Sequence, residues 1–126
     1  MTDIKKTYKN YVHGKFVRSE SGKVYSIDLK EEKYEIPLTS KKDLRDAVTS
    51  SKEGFKNWNQ LTMYNRSQIL YRLSEMIEGN KDSYISLLQD HGLSKLDSKN
   101  DINHAIDTIV WYAGLVDKWE QLTGNL

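Results

Sequence analysis

The chain has 126 residues, of which 19 are basic and 18 acidic, so its formal net charge at neutral pH is +1. This balance excludes the strongly basic surface that a nucleic-acid-binding protein or an anionic-membrane binder would need. The absence of cysteine excludes a disulfide, a thiolate metal site and a thiol nucleophile within the chain.

The first ten residues, MTDIKKTYKN, lack the apolar run of a signal peptide. No later run approaches the ~18 apolar residues that a membrane helix needs. We therefore expect a cytoplasmic protein, and the length suits one domain or a part of a larger one.

Residues 8–38 are predicted to form antiparallel β-hairpin strands. Apolar residues flank His13 and Gly14, and a glycine at the second turn position favours a tight hairpin. Pro37 places the last stretch at a strand end or a sheet edge, because proline cannot donate to a central ladder. The parts that follow the first hairpin are a turn at 19–22, an alternating strand at 24–29, a charged turn at 30–33 and a second strand at 34–38.

From residue 40 the apolar period becomes helical, and about four helices are predicted over residues 40–124. Ser40 with Asp43 resembles a capping box, and Thr62 can cap a second helix. The pair Gly79-Asn80 should break that helix, and a shorter one should end near Gly92. Ser98 with Asp101 is predicted to open the last helix, with an apolar stripe formed by Ile102, Ala105, Ile106, Ile109, Ala113 and Val116.

The familiar catalytic and cofactor motifs are not found. No glycine-rich phosphate loop follows a strand and opens a helix. His13, His91 and His104 are far apart and have no helical four-residue spacing, so solvated or capping histidines are favoured over metal ligands. Glu31 and Glu32 are read as a solvated turn rather than a general acid–base pair.

Aromatic residues cluster near the end of the last predicted helix. Helical spacing puts Tyr112 and Trp119 on one face and Trp111 and Leu115 on a neighbouring face. One interpretation is ordinary packing of a helix that is covered on several sides. The other is a contact surface for another domain or chain, because apolar residues around a whole helix imply burial around it.

Several segments, taken in order, resemble the start of an aldehyde dehydrogenase. The segment YVHGKFV at 11–17 is similar to the family's opening Y-I-N-G-E-F-V, and the segment IPLTSKKDL at 36–44 is similar to the entry to its first helix. Phe55 and Trp58 stand where the family has A-F-x-x-W. The segments NRSQILYRLSEMIE at 65–78 and WYAGLVDKW at 111–119 resemble R-x-x-I-L-x-R-L-A-x-x-I-E and Y-Y-A-G-W-A-D-K-Y.

The resemblance runs from about residue 8 to the end, with departures. The family's N-P-A-T-G-E loop is replaced by DLKEEK at 28–33, and its L-D-N-G-K-P appears as QDHGLS at 89–94. Leu115 stands where a tryptophan is usual. Family members continue for several hundred residues with an NAD(P) domain, a cysteine nucleophile, a glutamate base and an asparagine, and none of these is present here.

The resemblance therefore implies an α+β fold: antiparallel hairpin strands followed by about four α-helices, as in the N-terminal part of an aldehyde dehydrogenase. Residues 1–126 are expected to be that segment, without the cofactor and catalytic domains. We expect no cofactor in this chain, although the full-length family uses NAD or NADP, and no activity from it alone. The alternative is a stand-alone helical interaction module that binds a partner such as a full-length dehydrogenase.

The resemblance also implies three sites. Some family members hold a monovalent cation at positions that match Ser26, Ile27 (by its carbonyl) and Asp90, although Asp90 also fits an ordinary helix-end carboxylate. His104 matches a substrate-entrance position, with a surface or interhelical histidine as the alternative. Apolar residues that the family covers with its cofactor domain are expected to mediate self-association or to contact a dehydrogenase-like partner domain: Ile109, Trp111, Tyr112, Leu115 and Trp119. The strand Tyr34 to Leu38 is expected to lack a neighbour and to leave an open edge.

Overall fold

The computed structural model describes residues 4–29 and 31–124 and divides the chain into two units, residues 1–59 and residues 60–126. The first unit contains the strands and nearly all of the first helix. Its elements are β1 (Ile4–Thr7), β2 (Asn10–Val12), β3 (Lys15–Val17), β4 (Val24–Leu29), β5 (Glu32–Pro37) and α1 (Lys41–Gln60).

The predicted tight hairpin is confirmed. β2 and β3 pair in antiparallel fashion, with Val12 opposite Lys15. The two residues between them, His13 and Gly14, have φ angles of 54° and 70°. Two successive positive φ values define the turn whose twist matches that of the flanking strands. The His13 ring Nδ1 lies 3.2 Å from the Ser50 hydroxyl, so this turn also contacts α1.

The other strands form a three-stranded sheet in the order β1-β5-β4. β4 and β5 are antiparallel, as expected, whereas β1 runs parallel to β5 and was not predicted. The expectation of an open edge at Tyr34 was wrong, because Lys6 of β1 lies opposite it. The connection between β4 and β5 is shorter than predicted, since β5 already begins at Glu32; Lys30 lies outside the described residues.

Two residues show which backbone groups of β4 are hydrogen-bonded to β5. The Leu38 N–H donates to the Lys23 carbonyl at 2.9 Å, and these two residues are in register with the pair. Pro37, one step further, has no N–H to donate. Hydrogen-bonded and non-hydrogen-bonded residue pairs alternate along an antiparallel ladder. The backbone N–H and C=O groups of residues 25, 27 and 29 therefore point towards β5, and those of residues 24, 26 and 28 point away from it.

The second unit is helical. Its elements are α2 (Met63–Gly79), α3 (Lys81–Asp90), α4 (Lys95–Leu115) and α5 (Trp119–Thr123). Thr62 caps α2 as predicted, since its hydroxyl accepts the Asn65 N–H at 3.1 Å. α2 and α3 both pack against α4. The α2–α4 contact is tight, because the Ser67 hydroxyl donates to the carbonyl of the buried Ala113 at 2.7 Å.

Two predicted boundaries of the last long helix were wrong. The helix begins earlier, because Ser94 rather than Ser98 is the N-cap and accepts the Asp97 N–H at 3.0 Å. Ser98 is fully buried, and its hydroxyl donates to the Ser94 carbonyl at 2.8 Å. The helix also ends at Leu115, so Trp119 belongs to the separate short helix α5. No helix among the described residues is long and apolar enough to cross a membrane.

Candidate functional site

The densest polar cluster of the first unit lies where the turn at 19–22 meets the start of α1. The predicted capping box is present: the Asp43 carboxylate accepts the Ser40 N–H at 2.8 Å, and the Ser40 hydroxyl accepts the Asp43 N–H at 3.2 Å. The same carboxylate also accepts the buried Ser19 hydroxyl at 2.6 Å and the Glu20 N–H at 2.9 Å. One side chain therefore closes a helix end and holds a distant turn.

These hydrogen bonds govern the charge of Asp43. The Ser19 hydroxyl contributes most, followed by the backbone N–H groups of Ser40 and Glu20, and together they lower the pKa of Asp43 from 3.8 to about 2. Bonds donated to a carboxylate favour its charged form. The group is thus ionised at neutral pH with its oxygens already engaged, which suits a structural anchor better than a general base.

The same geometry tests whether the strand-to-helix junction could hold a dinucleotide. Phosphates bind where glycines let the backbone approach and where free N–H groups begin a helix. The residues between β5 and α1 are Leu38, Thr39 and Ser40, with no glycine, and the Asp43 carboxylate already takes the Ser40 N–H. A negative charge in that position repels a phosphate, so these residues do not fit an NAD(P) pyrophosphate.

A shallow groove of about 240 Å³ lies between α2 and the end of α4. Lys118 at its rim donates to the Gly114 carbonyl at 2.7 Å and to Asp117 at 2.8 Å. The Lys118 ammonium group lowers the pKa of Asp117. The lysine therefore closes the end of α4 and is ion-paired. The other residues that line the groove are Tyr64, Ser67, Gln68, Tyr71 and Ala113.

The residues of the predicted interface fall into two groups. Trp111, Tyr112 and Trp119 are 62%, 55% and 57% exposed, and the Trp111 and Tyr112 rings meet edge to face at 4.9 Å. Ile109 and Leu115 are half-buried on α4. Because the helix ends at Leu115, Trp119 does not continue the face that carries Tyr112. The use of these residues as an interface stays a prediction.

His104 is exposed on α4, and its assignment to a substrate entrance also stays a prediction. Ser26 and Ile27 are neighbours in β4, and Asp90 is the last residue of α3. In the alternating hydrogen-bond pattern of β4 and β5, the Ser26 carbonyl points away from β5 and the Ile27 carbonyl points towards it. In residues 4–29 and 31–124, no three His, Asp or Glu side chains gather as ligands for a metal ion.

The Ser19–Asp43 contact is the part of this geometry that sequence reasoning missed. The three-residue spacing of Ser40 and Asp43 is a local signal and was sufficient for the capping box. Ser19 lies 24 positions before Asp43, and serine in a predicted turn carries no sign of burial. Only the folded sheet brings the two together.

A sequence model of the aldehyde dehydrogenase family matches residues 16–125. The chain belongs to the aldehyde dehydrogenase family. Among curated relatives, it is 30% identical to the D-glyceraldehyde dehydrogenase (NADP(+)) of Picrophilus torridus over 94% of this chain and 24% of that protein. It is 25% identical to a malonate-semialdehyde dehydrogenase of Bacillus velezensis over 90% of this chain and 24% of that protein.

Solved structures show the same fold. An NAD-dependent aldehyde dehydrogenase from Sinorhizobium meliloti matches 91% of this chain and 24% of its own, with a TM-score of 0.76 at 20% identity. A betaine aldehyde dehydrogenase from Staphylococcus aureus, solved in complex with NAD+, matches 87% of this chain and 23% of its own, with a TM-score of 0.78 at 21% identity. The predicted α+β class and N-terminal family segment are therefore confirmed, and the chain spans about a quarter of these relatives.

Proposed function

We propose that this chain serves as the N-terminal scaffold of an NAD(P)-dependent aldehyde dehydrogenase and does not oxidise aldehydes by itself. The proposal rests on how much of this chain, and how much of each relative, the family match covers. The family match takes in residues 16–125, almost the whole chain, yet amounts to 24% of a relative such as the Picrophilus torridus enzyme. The scaffold would act in the cytoplasm and pack against the parts of such an enzyme that hold cofactor and substrate.

The chemistry of the chain supports this proposal. Oxidation through a covalent thiol intermediate needs a thiolate, and the sequence contains no cysteine. A bound nicotinamide needs a phosphate-holding turn, and the β5–α1 junction does not fit one. A serine nucleophile needs a base and oxyanion donors, whereas the Ser19 hydroxyl donates to Asp43 with no histidine between them.

The test is aldehyde-dependent formation of reduced nicotinamide. The purified chain is incubated with NAD+ or NADP+ and a set of aldehydes that includes malonate semialdehyde and glyceraldehyde. A full-length family enzyme serves as the positive control. We expect no reduction above the rate without protein, and turnover that scales with the concentration of the chain would contradict the proposal.

The second candidate function is an interaction module, and the exposed Trp111–Tyr112 pair favours it. Large aromatic rings that meet edge to face on a surface are typical anchors of protein interfaces. The partner would be a dehydrogenase-like domain. Mixing the chain with a full-length family enzyme in a pull-down, with the Trp111→Ser and Tyr112→Ser variant as control, tests it. Equal capture of both forms would contradict this role.

A further inference from the structure

A small cavity of about 160 Å³ lies where one face of the three-stranded sheet meets the turn at 19–22. In the register of the sheet, Thr7 lies opposite Glu35, and Val24 lies opposite Pro37. Side chains alternate between the two faces of a sheet, and residues directly opposite each other share a face, so these four line the same side. The remaining walls come from Tyr8 and from the turn, with Arg18 before it and Lys23 after it.

The cavity brings together charges of both signs that do not reach each other. Arg18 and Lys23 are exposed cations, and Glu35 is a half-buried carboxylate. Among the described residues, none of these three forms an ion pair. Ion pairs do form in the same unit where opposite charges can meet, as between Lys42 and Glu20 at 3.1 Å. The cavity therefore separates two cations from one anion by a space that a ligand can fill.

Hydrogen bonds fix the backbone that carries the two cations. The buried Ser19 hydroxyl donates to the Leu38 carbonyl at 3.1 Å, and the Gly22 N–H donates to the Ser19 carbonyl at 2.9 Å. The Leu38 N–H in turn donates to the Lys23 carbonyl at 2.9 Å. Arg18 and Lys23 thus both adjoin a turn that is tied to the end of β5. A ligand then has less of the site to order when it binds.

Each charged group matches a different part of a zwitterion. A guanidinium group such as that of Arg18 can donate two parallel hydrogen bonds to a carboxylate, and Lys23 adds a second positive charge. The Thr7 hydroxyl donates to Glu35 Oε2 at 2.8 Å. In the part of the chain that the structure describes, Glu35 Oε1 accepts no hydrogen bond, so it can accept one from an ammonium group.

The size and the other walls of the cavity limit the ligand further. At about 30 Å³ for each water-sized group, 160 Å³ holds about five such groups, close to the size of the smallest amino acids. The Tyr8 ring, Val24 and Pro37 offer apolar surface to a short aliphatic side chain. A simple anion of this size would face Glu35, and a simple cation would face Arg18 and Lys23.

We propose that this cavity binds a small aliphatic α-amino acid as its zwitterion, with the carboxylate on Arg18 and Lys23 and the ammonium group on Glu35. The inference rests on the first unit alone and does not depend on the proposed scaffold function. Aldehyde oxidation by the chain would contradict that function and leave this binding site untouched.

The first test compares three probes of nearly equal shape. L-alanine has both charges, L-lactate has a hydroxyl in place of the ammonium group, and isopropylamine has a methyl group in place of the carboxylate. Each is titrated into the chain while the backbone amide signals of residues 18–23 are followed by nuclear magnetic resonance. We expect saturable shifts with L-alanine at millimolar concentration, and binding of the other two that is weaker by roughly tenfold or more, since each lacks a charged contact.

The second test removes one charge at a time. Arg18→Gln should weaken L-alanine binding by roughly tenfold or more. Glu35→Gln keeps an oxygen that can accept the Thr7 hydroxyl, and it should weaken L-alanine binding without weakening L-lactate binding. Arg45→Gln is the matched control, because it removes a guanidinium group that contacts Asp46 outside the cavity. It should bind L-alanine like the wild type.

The outcomes separate a zwitterion site from a plain charged surface. An absence of saturable shifts with L-alanine overturns the proposal. Equal binding of L-lactate and L-alanine also overturns it, because the site then selects an anion only. An equal loss of affinity in Arg18→Gln and Arg45→Gln would show that general charge, rather than the cavity, attracts the probe. The probe series uses the wild-type chain, so it decides the matter even if Glu35→Gln does not fold.

Discussion

The Asp43 carboxylate receives hydrogen bonds from Ser19, Glu20 and Ser40, so it holds a turn and a helix start in one arrangement. Its pKa of about 2 means that the folded chain binds a proton there more weakly than the unfolded chain, whose aspartate titrates near 3.8. The stabilisation from this group is therefore complete above pH ~5 and is lost as the pH falls towards 2.

This leads to a prediction for Asp43→Asn. The variant should unfold more easily than the wild type at pH 7, and the difference in the free energy of unfolding should shrink as the pH falls from 5 to 2, because protonation removes the same charge from the wild type. Denaturant unfolding at several pH values measures it. Asp46→Asn serves as the control, because it removes a charge from the same helix, where the Asp46 carboxylate contacts the neighbouring Arg45. A difference for Asp43→Asn that stays constant with pH would contradict the assignment.

The two serines at the start of α4 give a second prediction at this scale. Ser94→Ala removes the N-cap and should lower the free energy of unfolding by about 1 kcal/mol. Ser98→Ala should change it by less than about 0.5 kcal/mol, since the Ser98 N–H still bonds the Ser94 carbonyl and alanine favours the helix interior. Helix loss in urea, followed by circular dichroism, compares the two. A larger effect at Ser98 would show that the cap is wrongly assigned.

The same serines show where local sequence reasoning fails. Ser94 with Asp97 and Ser98 with Asp101 have the same spacing, so a capping pattern alone cannot choose between them. Which of the two serines becomes the N-cap of α4 depends on where the previous helix, α3, ends. α3 ends abruptly, because Gly92 has a φ angle of 100° and the Leu93 N–H donates to the Leu88 carbonyl. The connection to the next helix is therefore short, and α4 starts at Lys95.

At the scale of elements, the β2–β3 hairpin and α1 contain glycines with opposite backbone requirements. Gly14 has φ 70° in the turn, whereas Gly54 lies within α1, and a Cβ at either position would meet no atom within 4 Å. The two positions therefore differ in backbone conformation and not in available space.

Gly14→Ala should lower the free energy of unfolding by about 1–2 kcal/mol, because a left-handed conformation is strained for a residue with a Cβ. Gly54→Ala should raise it by up to about 1 kcal/mol, because alanine favours the helix. Thermal unfolding of both variants beside the wild type measures the two effects. Stabilisation by Gly14→Ala would show that the turn does not hold its positive φ angle.

Elements with local signals could be predicted, and those that depend on distant partners could not. The hairpin at His13-Gly14 and the cap at Ser40 need only neighbouring residues. β1 has four residues, two of them lysines, and its pairing with β5 joins residues about 28 positions apart. A short polar strand of this kind has no alternating pattern to reveal it.

At the scale of the whole molecule, the exposed apolar residues are the main feature that the single chain leaves without an internal explanation. Leu44 and Phe55 on α1 are 65% and 66% exposed, and Trp111 on α4 is 62% exposed. Large aromatic side chains such as Phe55 and Trp111 are on average largely buried in folded proteins. This agrees with the proposed scaffold role, since the chain spans about a quarter of the length of the relatives it matches.

The candidate site could be only partly predicted at this scale. The family and the N-terminal extent followed from segments such as 11–17 and 111–119, whose order is preserved. The cation and substrate-entrance positions came from the resemblance alone, and they stay predictions.

The central claim is that the chain carries the family's N-terminal scaffold without a dinucleotide site. Calorimetric titration of the chain with NAD+ and with NADP+, beside a full-length family enzyme as the positive control, tests it most directly. We predict no saturable heat for either cofactor, because the Asp43 carboxylate closes the strand-to-helix junction and no glycine lies there. A saturable one-to-one site of micromolar affinity for either dinucleotide would contradict this account.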